Sequence, residues 1–140
     1  MARIVLDPLP GLLARPAGDP EAALRLLVED RLAIWERHAP LMKALFAEAL
    51  FRPELAEAVR RRAFEPALAE LTAFLERGVA EGRLRSMDPR AAALALVALV
   101  LGIAIQREVA RMSGGTPIEA DPVALAALIV HGIAAPHEAR

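Results

Sequence analysis

The fold of this chain follows from the stretch Ala91-Ala-Ala-Leu-Ala-Leu-Val-Ala-Leu-Val-Leu-Gly-Ile-Ala-Ile105. It lies within a segment, from Pro89 to Met112, that predicts one long helix and is apolar on every side. A helix at the surface of a small domain needs only one apolar stripe, so a helix that is apolar all round must be covered on two faces. A second segment of this kind runs from Pro122 to Ala135. The two segments predict a partner surface, which we expect to be a second copy of the chain.

The composition indicates a single all-α domain. Of the 140 residues 56% are hydrophobic and only 4% are aromatic, and the frequent Ala and Leu favour helices over strands. The chain has no Cys, which excludes disulfides, Cys-based zinc sites and thiol catalysis. Its 17 basic and 18 acidic residues give a net charge of −1, so no overall basic surface for nucleic acid is predicted.

Three Asp-Pro pairs predict three helix starts, because Asp is a favoured N-cap and Pro fits the first turn. They are Asp19-Pro20, Asp88-Pro89 and Asp121-Pro122. We predict about five to six helices in an antiparallel bundle, whose last two helices form a four-helix dimer interface. A helix starting at Pro53 should kink or split at its interior Pro66, and Gly82 is a candidate C-cap. The expected organisation is an irregular arm over 1–18, a helical domain over 19–136 and a disordered tail over 137–140.

The sequence does not predict a membrane protein. Asp7, Pro8 and Pro10 interrupt the short apolar stretch near the N-terminus, so no secretory signal is predicted. The apolar run 91–105 is shorter than the roughly 20 residues that a spanning helix needs. We therefore expect a cytoplasmic protein without membrane contact. A membrane-associated helical protein stays open as an alternative, and it would depend on detergent.

The larger side chains of the first three helices have two interpretations, ordinary core packing or the lining of an apolar pocket with a few polar groups. Gln106 interrupts the long apolar helix, and its amide needs a partner on another helix or on a ligand. The candidate ligand-binding residues are Trp35, His38, Met42, Phe46, Phe64, Leu68 and Gln106.

The long helix offers two apolar stripes, and either could face the partner. One contains Leu94 and Ile105; the other ends at Gln106, whose polarity favours placing that second stripe inward. The candidate dimer-interface residues are Leu94, Val97, Leu101, Ile105, Leu125, Leu128, Ile129 and Gly132.

The remaining residue patterns predict no metal, cofactor or catalytic site. His131 and His137 are six positions apart and do not share a helix face, so we expect no metal site and no cofactor. No catalytic triad, phosphate-binding loop or carboxylate pair stands out, and we expect no enzyme. The basic run Arg60-Arg61-Arg62 predicts a solvated helix face, with nucleic-acid contact as the alternative.

The stretch Phe74-Leu-Glu-Arg-Gly-Val-Ala-Glu-Gly-Arg-Leu-Arg85, followed by Asp88-Pro89 and the long apolar helix, resembles the C-terminal half of TetR-type transcriptional regulators. The ending Leu125-Ala-Ala-Leu-Ile-Val-His-Gly-Ile133 is similar to their last helix, and the resemblance covers about residues 19–135.

The resemblance implies a helical domain that binds a small, largely apolar or amphipathic ligand and dimerises through its last two helices. Ligand binding in such regulators changes the spacing of two DNA-reading heads. Family members carry an N-terminal helix-turn-helix head, which residues 1–18 are too short and too Pro-rich to supply. We therefore expect DNA binding only through a head that is missing from this chain. The alternative is a helical homodimeric assembly or adaptor module without a ligand.

Overall fold

A computed structural model describes residues 19–116, 119 and 121–133, and the predicted arm over 1–18 and tail over 137–140 lie outside these residues. The fold is all-α, as predicted. In chain order the elements are α1 (Pro20–Arg37), α2 (Ala39–Phe51), α3 (Pro53–Val59), a π-helical turn (Arg60–Phe64), α4 (Glu65–Ala80), α5 (Pro89–Met112) and α6 (Pro122–Ile133).

All three predicted Asp-Pro starts coincide with helix starts, since α1, α5 and α6 begin at Pro20, Pro89 and Pro122. The carboxylate of Asp88 accepts hydrogen bonds from the backbone N–H groups of Arg90 (2.9 Å) and Ala91 (3.2 Å). Asp121 accepts from the N–H of Val123 at 3.0 Å in the same way. These bonds satisfy donors that have no partner within the helix and fix where α5 and α6 begin.

The disruption predicted at Pro66 takes the form of the π-helical turn that precedes it. Pro66 has no N–H, and its ring crowds the carbonyl group four residues earlier. The backbone N–H of Glu65 donates to the carbonyl of Arg60, five residues back, which widens the helix just before the proline. Helical structure therefore continues from Pro53 to Ala80 through a local π-bulge.

The α4–α5 connection turns sharply at Gly82, which has a φ of 70° and lies one residue beyond the helix C-cap, Glu81, rather than at the cap position predicted for it. The N–H groups of Arg83 and Leu84 both donate to the carbonyl of Gly78, at 2.9 and 3.0 Å. The turn folds the Leu84 side chain, which is buried, back over Gly78. A Cβ at Gly78 would lie 2.6 Å from Leu84 Cδ1, so a larger residue here requires the buried Leu84 side chain to shift.

Two core clusters hold the helices together. The first joins α1, α4 and α5 around Leu24, Phe74, Leu75 and Leu96. The second joins α1, α2 and α5, and its buried members are Val28, Leu32, Trp35, Ala39, Met42 and Ala104. Helix α6 packs along α1, while α5 packs mainly along α4 and also contacts α1. Helix α5 thus has α1 and α4 on its inner side.

We expect Gly78→Ala to destabilise the domain. Overpacking in a core costs about 1–3 kcal/mol, and the higher helix propensity of Ala offsets about 1 kcal/mol of that. The net loss in the free energy of unfolding should be about 1 kcal/mol in urea denaturation. The control is the same substitution in a Leu84→Ala background, where the clash is removed and Gly78→Ala should stabilise. Equal losses in both backgrounds would contradict this account of the turn.

Candidate functional site

A cavity of about 140 Å³, partly open to solvent, lies between α1, α2, the end of α3, the π-helical turn, α4 and α5. Its wall is almost entirely hydrocarbon. Representative lining residues are Val28, Met42, Phe46, Phe64, Ala67 and Val100. Only two lining residues, Arg31 and Trp35, carry nitrogen in their side chains. The cavity can therefore take a small apolar molecule, with few places to bind a polar group.

Three aromatic rings stand side by side on this wall. The ring centroids of Trp35 and Phe46 are 5.5 Å apart, with the ring planes at 35°. The centroids of Phe46 and Phe64 are 6.0 Å apart, at 57°. The tight turn at His38 brings α2 back across the end of α1, so that Phe46 meets Trp35. Phe64 is the last residue of the π-helical turn, which continues the aromatic wall towards α4.

The two polar groups of the wall differ in their partners. The guanidinium of Arg31 pairs with the carboxylate of Asp30, with Nε donating to Oδ2 at 3.0 Å. Trp35 is 8% exposed, and its indole Nε1 is buried with no hydrogen-bond acceptor among the described residues. A buried donor without a partner is uncommon, because it loses its bonds to water and gains none.

Four of the seven predicted ligand-binding residues line this cavity: Trp35, Met42, Phe46 and Phe64. The other three do not. His38 lies partly exposed in the α1–α2 turn, and Gln106 is exposed on α5. Leu68 packs against the first core cluster.

Several wall residues were not among the predicted ligand contacts, for example Arg31, Leu45 and Val59. Arg31 stands four positions before Trp35, so helical spacing alone places the two on one face. Val97 and Leu101, which we predicted at the dimer interface, also line the cavity.

Helix α5 also presents an apolar outer face. It is formed by large and small residues at helical spacing: Leu94, Ala98, Gly102, Ile105, Val109 and Met112. Leu94 is 58% exposed, and Leu128 on α6 is 70% exposed. A Cβ added at Gly102 or Gly132 would meet no described atom within 4 Å. By length and composition alone α5 could also cross a membrane, although its inner side packs on α1 and α4.

The structure divides the predicted interface residues between the outer face and the interior. Leu94, Ile105, Leu128 and Gly132 are exposed. Besides Val97 and Leu101 on the cavity wall, Leu125 packs against the second core cluster and Ile129 against the first. The second predicted stripe, which ends at Gln106, is also divided, because its Leu96 is buried while Gln106 is exposed.

A cluster of charges ties the C-terminal half of α5 to α1 and α2. Lys43 Nζ donates to Glu108 Oε1 at 2.7 Å, and Arg111 Nη1 donates to Glu108 Oε2 at 2.9 Å. Arg107 Nη1 donates to Glu36 Oε1 at 2.8 Å. Glu108 is buried, and the hydrogen bond from Lys43 is the largest cause that holds its pKa below the ordinary value. Burial alone would raise that pKa, so the two cations outweigh desolvation.

The basic run is solvent-exposed, as predicted for a solvated face. Arg60 pairs with Glu57 and with Glu65 on either side of the π-helical turn. The hydrogen bond from Arg60 lowers the pKa of Glu57. Among the described residues no group of three or more His, Cys, Asp and Glu side chains is arranged to hold a metal ion.

The family model for the C-terminal domain of AefR-like transcriptional repressors matches residues 24–131. This range includes the whole cavity wall and the outer face of α5. A search of curated proteins found no match to the chain.

We expect Glu108→Gln to lower stability at neutral pH and to weaken the acid sensitivity of the domain. Since the folded pKa of Glu108 is lowered, its contribution is complete above about pH 4.5, the ordinary glutamate value, and is lost as the pH falls through the lowered pKa. Urea denaturation at several pH values measures this. The same substitution at the exposed Glu76, also a glutamate, serves as the control for the loss of one carboxylate. Wild-type pH dependence in Glu108→Gln would refute the assignment.

Proposed function

The chain belongs to the family of AefR-like transcriptional repressor C-terminal domains, a TetR-type family, and from this premise we propose that it is the effector-binding and dimerisation domain of a TetR-type regulator. It senses a small, largely apolar ligand and couples that ligand to DNA binding by the parent protein. DNA contact belongs to a helix-turn-helix head outside the domain described here. The family is one of transcriptional repressors, which supports a cytoplasmic regulator rather than an enzyme.

The cavity is the observation that carries the ligand-binding part of this proposal. An engineered apolar cavity of about 150 Å³ stays dry and binds benzene, and the cavity here is close to that size. Well-packed cores have few voids larger than a water molecule. An apolar pocket of this size, lined from five helices and the π-helical turn, supports a binding site rather than ordinary core packing. We assign the ligand contacts to Trp35, Met42, Phe46 and Phe64.

The outer faces of α5 and α6 support the dimerisation part. A stable interface takes about 800 Å² from each partner, and its core is apolar. Leu94 and Ile105 on α5 and Leu128 on α6 are exposed large apolar side chains, and monomers rarely expose large apolar patches. Ala98 and Gly102 lie between Leu94 and Ile105 on α5, where small residues let two helix backbones approach closely. A second copy of the chain fits this surface.

Helix α5 connects ligand binding with dimerisation. Val97, Val100 and Leu101 line the cavity, while Ala98 and Gly102 point to the outer face of the same helical turns. A ligand that shifts the wall therefore shifts the dimer surface. Coupling of this kind is typically worth about 1–3 kcal/mol. In the dimer the shift changes the spacing of the two DNA-reading heads.

We expect toluene to bind the domain and raise its melting temperature. A ligand at one hundred times its Kd stabilises a folded protein by about 2.7 kcal/mol. Ala67→Phe, which fills the cavity, should abolish the effect, because Ala67 lines the wall. Ala69→Phe is the matched control, since Ala69 is exposed on the same helix and should leave toluene binding intact. Calorimetric titration and thermal denaturation measure both.

If toluene fails to bind the wild-type domain, or if Ala67→Phe binds it as well as Ala69→Phe does, the ligand-binding part of the proposal is wrong. The domain would then be the adaptor module without a ligand. Circular dichroism of each variant verifies that it is folded before binding is compared.

We expect the wild-type domain to sediment as a dimer at micromolar concentration and the Leu94→Glu, Leu128→Glu double variant to sediment as a monomer. The carboxylates would be buried without partners in the dimer. The control is Leu50→Glu, Phe51→Glu at the end of α2, where both side chains are more than 80% exposed but lie off the proposed interface. Sedimentation of the wild type as a monomer without detergent would rule out the dimer.

A further inference from the structure

We infer that the ion pair between Lys43 and Glu108 sets the width of the ligand cavity, and with it the size of the ligand that the cavity accepts. The pair joins α2 to α5, and these helices form two walls of the cavity. The inference rests on the proposed function, since it requires that the cavity binds a ligand. It adds two residues that lie beside the wall and determine its specificity.

The inward face of α5 leads from the cavity to Glu108. Leu101 lines the cavity, and Ala104 is buried in the second core cluster. Glu108 lies four residues after Ala104 and seven after Leu101, which places the three on one face of the helix. The Glu108 side chain is 10% exposed, and both of its carboxylate oxygens accept hydrogen bonds, Oε1 from Lys43 and Oε2 from Arg111. A mostly buried carboxylate therefore continues the face of α5 that forms the cavity wall.

Helix α2 reaches α5 through side chains. Met42 and Phe46 of α2 line the cavity, and Lys43 follows Met42 in the chain. Helix α2 packs on α1 and α3, whereas the backbones of α2 and α5, both described over their whole length, do not pack closely on each other. Lys43 Nζ spans this separation and donates to Glu108 Oε1 at 2.7 Å. The ion pair therefore limits how far α2 can move away from α5.

The ion pair opposes the movement that a wide ligand requires. The cavity of about 140 Å³ is close in volume to one that accommodates benzene, so a ring with substituents on several sides fits only if the walls separate. Separating α2 from α5 breaks the hydrogen bond from Lys43 to Glu108. Taking a donor from a mostly buried carboxylate costs free energy. The ion pair therefore penalises wide ligands more than narrow ones.

A second ion pair on the same half of α5 provides a matched control. Arg107 Nη1 donates to Glu36 Oε1 on α1 at 2.8 Å. The Glu36 side chain is 50% exposed, close to the 43% of Lys43. Helix α1, unlike α2, shares both core clusters with α5, so core packing holds it in place when this ion pair is removed. Loss of the Glu36 pair should leave the cavity width unchanged.

The experiment compares toluene with 1,3,5-trimethylbenzene, which carries two more methyl groups on the ring and is wider. Calorimetric titration gives the Kd of both probes for the wild-type domain, Lys43→Met and Glu36→Gln. The ratio of the two affinities in one protein separates cavity width from general effects on stability. We expect Lys43→Met to raise the relative affinity for 1,3,5-trimethylbenzene about fivefold, a change of the size that a partly exposed ion pair can produce. Glu36→Gln should leave the ratio unchanged.

Further variants test whether the two residues act as a pair. Lys43→Arg keeps the cation and should retain the wild-type ratio. Glu108→Gln should shift the ratio as Lys43→Met does, and the double variant should shift it no further, because residues that act through one contact are not additive. If circular dichroism shows that Glu108→Gln does not fold, the comparison of Lys43→Met with Lys43→Arg decides alone.

The outcomes separate this inference from the proposed function. If toluene binds the wild-type domain but Lys43→Met gains no relative affinity for the wider probe, the role of the ion pair is rejected and the cavity site stands. Equal shifts in Lys43→Met and Glu36→Gln, or in Lys43→Met and Lys43→Arg, overturn it as well. If neither probe binds the wild-type domain or Lys43→Met, the ligand-binding function is rejected together with the inference.

Discussion

Between Ala91 and Ile105, helix α5 is apolar around its whole circumference, and the structure depends on how that circumference is covered. Ala93 and Leu96 are buried against α1 and α4, and Val97 and Leu101 line the cavity. Leu94 and its neighbours along the outer face meet no described residue of the chain that covers them. One helix thus borders a core, a cavity and an open surface. Apolar side chains stabilise the folded protein only where they are removed from water, so the exposed face contributes no stability unless a partner covers it.

Small residues decide where α5 approaches its neighbours and where it does not. Ala93 is fully buried in the first core cluster and Ala104 in the second, and both allow close packing of α5 on the adjoining helices. The cavity lies between these two contacts, along the stretch from Leu96 to Leu101. Its far side is formed by Phe64, which the π-helical turn brings to this position. The cavity is therefore a consequence of where the bundle closes and of the irregular turn ahead of Pro66.

The sequence predicted the helices well, because their boundaries depend on local chemistry. The Asp88 cap, the disruption near Pro66 and the left-handed Gly82 each follow from one residue type at one position. The rotation of a helix about its own axis, by contrast, depends on packing and not on local chemistry. When every side of α5 is apolar, polarity does not say which side faces inward, and large residues dominate any predicted stripe. Ala98 and Gly102, which mark the outer face, escaped notice for this reason.

Because the rotation of a helix and the ends of its turns are not set by local sequence, three predicted ligand residues lie away from the cavity. Gln106 was predicted to face inward because a polar group in an apolar helix suggested a partner, but it lies on the exposed side of α5. His38 shares the stripe of Trp35 until α1 ends at Arg37, and the turn that follows moves it off that face. Nothing local to Leu68 specifies whether α4 presents it to the core or to the cavity; only the packing of α4 against α5 does.

The two ends of α5 are held by different forces, which bears on how a change in the cavity reaches the outer face. Towards the N-terminus, Ala93 and Leu96 pack in a buried core shared with α4, and separating them exposes apolar surface. Towards the C-terminus, Arg107 and Glu108 hold α1 and α2 through ion pairs with Glu36 and Lys43, whose side chains are about half exposed. Ala104, on the same half, is buried in the second core cluster, and Glu108 and Arg107 are themselves mostly covered, so close packing and ion pairs act together there. Removing a partner of Glu108 would leave a buried carboxylate uncompensated, which costs more than breaking an exposed pair. Under the proposed function, a change in the cavity reaches the outer face of α5 through both kinds of contact.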